Sequence, residues 1–336
     1  MRVALFGAGR IGQLHGRLLA EQPEVSELVI SDPDAERARQ AANATGGTVA
    51  PTVDAALDGA EAVVVAATTS AHASLTRAAV DRGIPVFCEK PLALDLDETV
   101  RLVDDIARTN VPVQVGFMRR FDPTYIDARR LLRSGELGTL YLVRLISHDH
   151  EPPPDGYIPT SGGLFRDSSI HDFDALRWLT GREVHEVYAV GSVRGFPIFA
   201  ESGDADTAAA ILRLDDGTLG VLSQTRHNPR GYDVRMELVG SRDAVAVGLT
   251  QKTPLRTLDD GLIGSAAAWD SFLDRFETAY RAELLAFLRV ARGEIPSPCT
   301  PRDGLEAMRI SVAATRSRAD GRPVSVSEVG QPAPAG

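Results

Sequence analysis

The chain has 336 residues, enough for about two domains, and its 43% hydrophobic and 24% charged residues suit a globular fold rather than a disordered or fibrous one. A net charge of −10 speaks against a nucleic-acid partner, and two cysteines, Cys88 and Cys299, are too few for a disulfide framework or a Cys-rich zinc site. No apolar run approaches the roughly 18 residues of a membrane span, and the chain enters a strand at Arg2 with no room for a signal peptide, so a soluble cytoplasmic protein without membrane contact is expected.

From residue 1 to about 120, short apolar runs alternate with helical stretches. Val3–Phe6, Leu28–Ser31, Ala62–Ala67, Val86–Cys88 and Val113–Val115 read as strands buried on both faces. Ile11–Glu21, Ala35–Thr45, Ala71–Arg82 and Asp97–Thr109 read as the helices between them. Such βα alternation makes a doubly wound parallel sheet, an α/β fold of Rossmann type.

The first strand runs into Gly7-Ala8-Gly9-Arg10-Ile11-Gly12, a G-x-G-x-x-G, and Asp32 closes the second strand 20 residues past Gly12. In that context the glycines are a dinucleotide fingerprint: Gly7 for a tight turn, Gly9 for close approach to pyrophosphate, Gly12 for helix–strand packing. Arg10 and Ile11 open the helix whose N-terminus faces the phosphates. A carboxylate at Asp32 accepts from ribose hydroxyls and repels a 2′-phosphate, so NAD is expected over NADP.

Ligands in such sheets bind beyond the carboxyl ends of the strands. Thr68, Thr69 and His72 follow the third run and offer groups to ribose or nicotinamide, although Ser70 as a helix cap explains the same hydroxyls. Glu89 and Lys90 precede Pro91 at the end of the fourth run. An ammonium there suits a developing alkoxide, while a solvated lysine paired with Glu89 is the plainer reading. The fifth run leaves the domain through Gly116–Pro123, which contains Met118 and Arg119.

The rhythm then changes. A helix is expected from Pro123 to Arg133, then a long strand Thr139–His150, a Pro- and Gly-rich loop Glu151–Gly163, and strands Val184–Val193, Thr207–Leu214, Thr218–Thr225, Val234–Val239 and Ala244–Val247. Asp215-Asp216-Gly217 reads as a hairpin turn, and short turns imply an antiparallel open sheet. Helices Phe272–Arg292 and Arg302–Arg318 complete an α+β domain. The expected limits are a dinucleotide domain over 1–121, a substrate domain over 122–330, and a loose tail over 331–336. Asp167 and His171 are four apart in a predicted helix and so share a face, where a carboxylate-oriented imidazole suits a general base. A capping aspartate and a surface histidine fit the spacing as well. His148, His150, Asp167 and His171 lack zinc spacing, and metal-free hydride transfer is expected.

Taken together, the N-terminal fingerprint, Glu89-Lys90-Pro91 and Gly162-Gly163…Asp167-x-x-x-His171-Asp172 resemble the glucose–fructose oxidoreductase/inositol dehydrogenase/rhizopine-catabolism (Gfo/Idh/MocA) family over essentially the whole chain. Within it, Gly116–Asp122, Asp167–Asp174 and Gly231-Tyr232-Asp233 are similar to inositol 2-dehydrogenases. The resemblance implies a Rossmann domain plus an α/β domain whose large, mostly antiparallel open sheet makes dimer or tetramer contacts. It implies NAD as cofactor, a cyclic polyol or sugar as small-molecule substrate, and myo-inositol oxidised to its 2-keto form as the reaction. Lys90, Asp167 and His171 become the catalytic set, with Met118, Arg119, His150 and Tyr232 lining the pocket. One departure stands out: Arg230 occupies a position where these enzymes tend to carry tyrosine. It faces solvent, recognises an acid or phosphate, or marks a different substrate, including a glycosylated one. A cofactor-retaining sugar oxidoreductase and a non-catalytic NAD sensor are the remaining alternatives.

Overall fold

The computed structural model describes residues 1–258, 264 and 266–330, and divides into two compact units. The first comprises Met1–Met118 and Thr278–Leu305; the second comprises Arg119–Glu277 and the residues from Glu306 on. The loose tail expected over 331–336 lies outside the described residues.

In the first unit the chain runs β1 (Arg2–Phe6), α1 (Arg10–Ala20), β2 (Glu27–Ser31), α2 (Ala35–Thr45), β3 (Thr48–Val49), α3 (Val53–Leu57), β4 (Ala62–Val65), α4 (Thr69–Val80), β5 (Val86–Glu89), α5 (Leu96–Ala107) and β6 (Val113–Gly116). The strands form a parallel sheet in the order β3-β2-β1-β4-β5-β6. The order reverses between β1 and β4, and that switch point opens the ligand crevice of doubly wound sheets. Ala62–Val65 and Val86–Glu89 are buried throughout, which requires helices on both faces of the sheet. Two elements were not anticipated, β3 and α3, because a two-residue strand and a one-turn helix carry no periodicity. Asp34 and Asp95 cap α2 and α5 through their side chains. Ser70 does not cap α4: Thr68 stands at the N-cap without a side-chain cap bond, and its hydroxyl meets the Ser70 hydroxyl at 3.3 Å.

The second unit continues with α6 (Pro123–Arg133), β7 (Leu140–His148), α7 (Leu164–Asp167), α8 (Ile170–Thr180), β8 (Val184–Ser192), α9 (Pro197–Glu201), β9 (Thr207–Leu214), β10 (Leu219–Thr225), β11 (Asp233–Gly240), β12 (Ala244–Val247) and α10 (Phe272–Arg275). After α11 (Glu277–Ala291), α12 (Pro301–Asp320) leads to β13 (Val324–Ser325). The sheet order is β12-β11-β7-β10-β9-β8-β13. Its pairs are antiparallel except β7 with β10, which run parallel, so the sheet is mostly antiparallel, as expected. β9 and β10 form the hairpin around Gly217, whose φ of +89° favours glycine. Along both strands buried and exposed residues alternate, so one sheet face is covered and the other carries exposed Tyr188, Val190, Ile211, Leu219 and Val221.

Two boundaries differ from expectation. The single helix expected over Phe272–Arg292 breaks at Phe276, where fully buried Phe276 separates α10 from α11. And α11 belongs with the first unit, not with the second sheet. Phe287 packs against Phe87 with ring centroids 5.8 Å apart, Tyr280 meets His15 edge-on at 5.7 Å, and Gln114 donates to the Glu283 carbonyl at 3.0 Å. An amphipathic pattern reports that a helix has a buried face, and is silent about which sheet that face covers.

Candidate active site

The glycine loop is fixed by sterics. A Cβ on Gly7 would lie 2.5 Å from the Ala66 carbonyl oxygen, and one on Gly12 only 2.0 Å from the Gly7 carbonyl oxygen. Gly7 also takes a φ of +98°. Gly9 is different: a Cβ there would meet nothing within 4 Å, so its missing side chain leaves open space at the helix start. Gly9 is the N-cap of α1 and offers no side-chain cap, which leaves the first N–H groups of α1 available to an anion. This cradle fits a dinucleotide pyrophosphate.

Asp32, at the end of β2, accepts from the Ala8 N–H at 2.8 Å and the Asp34 N–H at 2.8 Å, and pairs with Arg37 at 3.1 Å. Burial opposes ionisation, but these hydrogen bonds and the Arg37 charge outweigh it and hold the carboxyl below its usual range. Asp32 is therefore an anion with its first oxygens committed to the turn. At the end of β4, Thr68 is exposed and Thr69 half-buried, as contacts to a bound nucleotide require.

His72 does not belong with them. It is 2% exposed, and its ring nitrogens face the Pro91 carbonyl at 2.7 Å and the Ala67 carbonyl at 3.1 Å. Burial pushes its pKa down despite both carbonyls, so the ring is neutral and donates to one of them. Through these carbonyls it ties the end of β4 to the cis Lys90–Pro91 segment. Glu89 is likewise turned inward. Its carboxylate meets Nε2 of fully buried His15 at 2.7 Å and accepts from the Lys90 backbone N–H at 3.3 Å. Gly116 makes room for it, since a Cβ would lie 3.0 Å from the Glu89 carboxyl carbon. Lys90, half-buried, leaves this anchored strand end.

In the second unit the helix expected to carry both Asp167 and His171 is broken. Asp167 ends α7, and His171 sits in the first turn of α8, with Ser168 and Ser169 between them. Gln224 of β10 holds this break: its amide donates to the Ser168 hydroxyl at 2.8 Å and accepts from Ser169 at 3.2 Å. Tertiary hydrogen bonds, not one helical face, set the spacing of the two residues.

Below them, Arg119 is 3% exposed and bonds Asp172 at 2.6 Å and the Ser147 hydroxyl at 3.2 Å. Ser147 also donates to Asp172 at 2.8 Å. Arg120 binds Asp174 in bidentate fashion at 2.9 and 2.6 Å. Two successive arginines thus clamp two aspartates of α8 and fix the helix that presents His171. The Arg119 guanidinium, expected at the pocket wall, is engaged with the fully buried Asp172 carboxylate. Met118, at 2% exposure, is core as well.

Tyr232 is buried beside Arg119, and burial raises its phenol well above the ordinary value. His150 is half-buried with Nδ1 at 3.9 Å from Asp270. Arg230 is exposed, and its backbone N–H bonds the Asn228 side chain at 3.2 Å, which favours the solvent-facing reading. Sequence reasoning missed Arg226, Asp149 and Tyr157, which surround Asp167. Arg226 reaches Asp167 at 2.7 Å and Asp149 at 3.2 Å, and the Tyr157 hydroxyl donates to Asp167 at 2.8 Å. A signal existed: Gly220, Leu222 and Gln224 alternate inward along β10, and residue 226 continues that face.

Among the described residues, no group of three or more His, Cys, Asp and Glu side chains is placed to hold a metal ion, and no helix is long and apolar enough to cross a membrane. Cys88 and Cys299 are buried, and burial pushes the Cys88 thiol up to about 12.

Comparison with known proteins agrees with both units. Residues 1–117 match the oxidoreductase family model for the NAD-binding Rossmann fold, and residues 125–246 match the GFO/IDH/MocA C-terminal domain. A myo-inositol dehydrogenase of Streptomyces leeuwenhoekii is 44% identical over 96% of this chain and 98% of its own. The crystal structure of a myo-inositol dehydrogenase from Corynebacterium glutamicum superposes with a TM-score of 0.88 at 35% identity, covering 99% of each chain. That of scyllo-inositol dehydrogenase from Lactobacillus casei, with bound NAD(H) and scyllo-inositol, gives 0.86 at 27% identity over 97% of this chain and 99% of the other. The chain belongs to the GFO/IDH/MocA oxidoreductase family and is an NAD-dependent dehydrogenase.

Proposed function

We propose that the protein oxidises a secondary hydroxyl of a cyclic polyol, with myo-inositol going to 2-keto-myo-inositol. The observation that carries this reading is the full-length match to an inositol dehydrogenase at 44% identity, which extends through both units rather than the dinucleotide domain alone. Fold alone would not support a substrate.

When bound, NAD⁺ supplies the hydride acceptor. The chain's own residues do the rest. The Gly7–Gly12 loop and the α1 N-terminus hold the pyrophosphate, and Asp32 accepts from the adenosine ribose. His171 takes the proton of the reacting hydroxyl, since an imidazole titrates near neutral pH. The Lys90 ammonium donates to the same oxygen and stabilises negative charge as the C–H bond breaks. Asp167 accepts from a substrate hydroxyl and orients the ring of the polyol.

The exposed apolar residues of the second sheet, Tyr188, Ile211 and Val221, lie in one register row, which suits contact with another copy of the chain in a homodimer or homotetramer. Ile211→Glu should lower the mass measured by light scattering; an unchanged mass would reject this face.

The decisive assay follows NADH formation with myo-, scyllo- and chiro-inositol, glucose, xylose and their acidic or phosphorylated forms, using NAD⁺ and NADP⁺ in parallel. Turnover of an inositol with NAD⁺ is expected. Activity confined to an anionic compound would overturn the neutral-polyol reading and bring Arg230 back as a specificity residue.

A further inference from the structure

Resting on the assignment of Asp167 to the site, we propose that Arg226 is its positioning residue: bridging Asp149 and Asp167, it aims the Asp167 carboxylate and keeps it anionic for the substrate hydroxyl. The geometry is built by the sheet. β7 and β10 are parallel neighbours, with His148 paired to Thr225, so the next residues, Asp149 and Arg226, leave the sheet side by side. The Asp149 N–H bonds the Thr225 carbonyl at 3.0 Å, and the Arg226 N–H bonds the Asp206 carbonyl at 2.7 Å. The backbone at both positions is thereby fixed before any side chain is considered.

The Arg226 side chain is 5% exposed, and its two terminal nitrogens divide between two carboxylates, Asp149 Oδ2 at 3.2 Å and Asp167 Oδ2 at 2.7 Å. The second oxygen of Asp167 is held by the Tyr157 hydroxyl at 2.8 Å, from the Pro-rich loop. Asp167 therefore has one oxygen on a buried cation and the other on a phenol. This restrains rotation of its carboxyl group, the freedom that would otherwise blur the position of a substrate hydroxyl.

The charge count matters as much as the direction. One guanidinium faces two carboxylates, so without it Asp149 and Asp167 repel one another in a half-buried setting, and one of them takes up a proton at higher pH. Groups near this pair include Tyr157 from the loop, Tyr232 just before β11, His227 and Glu151, together with the proposed base His171 four residues from Asp167. None of them replaces the fixed positive charge of arginine near neutral pH. A lysine keeps the charge but loses the two-pronged geometry.

The test uses the full chain with myo-inositol and NAD⁺. Arg226→Met should lower kcat by about 10²-fold, leave the KM for NAD⁺ unchanged, and move the acid limb of the kcat profile to higher pH. Adding Asp149→Asn to Arg226→Met should bring that limb back, and Arg226→Lys should lose less than Arg226→Met. Wild-type kcat with an unmoved limb in Arg226→Met would overturn the proposal. So would a joint fall in kcat, thermal midpoint and NAD⁺ affinity that Asp149→Asn does not relieve, since that is the signature of a structural role. Asp167→Asn separates the two levels. If it retains wild-type turnover, the site assignment itself fails, and the Arg226 proposal with it; if it is inactive while Arg226→Met is normal, only Arg226 is wrong.

Discussion

The two units build their functional residues by opposite means. In the first, the cradle is backbone: Gly7 and Gly12 are dictated by close approach to the Ala66 and Gly7 carbonyls, Gly9 leaves open space at the helix start, and the carboxylate of Asp32 rests on the N–H groups of Ala8 and Asp34. In the second, the candidate catalytic residues are placed by buried side-chain charges far apart in sequence, Arg119 with Asp172, Arg120 with Asp174 and Arg226 with Asp167. A backbone cradle of this kind leaves no room for a Cβ at Gly7 or Gly12. A charge-pinned helix tolerates a change of shape but not the loss of one partner. The difference suits the tasks. A pyrophosphate is the same in every dinucleotide, whereas a polyol face must be matched hydroxyl by hydroxyl.

Four substitutions sharpen or break this contrast. His171→Ala should lower kcat by about 10²–10⁴-fold, the range for a general base, with the fold intact by circular dichroism. Wild-type turnover would remove His171 from the site and leave the second unit without its proposed base. Asp174→Ala should destabilise the protein by about 3–5 kcal/mol, because buried Arg120 then loses the carboxylate that it binds through two hydrogen bonds. Denaturant unfolding measures this, and a loss below about 1 kcal/mol, the value of an exposed pair, would show that the pin is not structural.

Asp32→Ala, on the backbone-built side, should cost about 1–3 kcal/mol of stability, because the Ala8 N–H loses its acceptor, while weakening NAD⁺ binding and relaxing discrimination against NADP⁺. Arg37 would then lack its Asp32 partner and be available to a 2′-phosphate. Equal preference before and after substitution, measured as the ratio of kcat/KM values, would reject the role of Asp32. The smallest effect is expected at Asp206 in the second unit. Burial would raise its pKa, but the N–H groups of Gly195, Arg194 and Phe196 and the Thr207 hydroxyl outweigh that and hold it below the usual range. A depressed folded-state pKa contributes stability that is fully present above the unfolded value of about 3.9 and lost as pH falls through the folded value. Asp206→Asn should therefore lower the thermal midpoint at neutral pH, and the gap to wild type should close in acid. A gap independent of pH would mean that the carboxylate charge contributes nothing there.

Much of the fold was legible residue by residue. The strand runs around Val3, Leu28, Ala62, Val86 and Val113 lie in the parallel sheet. Lys90, Asp167 and His171 are the catalytic set that the sequence proposes. What was not legible is how they are held. The i, i+4 spacing of Asp167 and His171 suggested one helical face, yet Gln224 holds a break at Ser168 and Ser169 instead. Nor does the sequence show that His72 is buried against the Pro91 and Ala67 carbonyls, or Arg119 against Asp172.

The sequence by itself determined the dinucleotide cradle, the alternation of strand and helix, and the chemical types available to the site. Those depend on sterics and periodicities that act over a few residues. Only the tertiary structure decided that α11 packs on the first unit, that β7 and β10 run parallel, and that Arg226 stands between Asp149 and Asp167. Partner choice among buried charges and apolar faces is set by which strands lie side by side, and sequence distance carries no record of that.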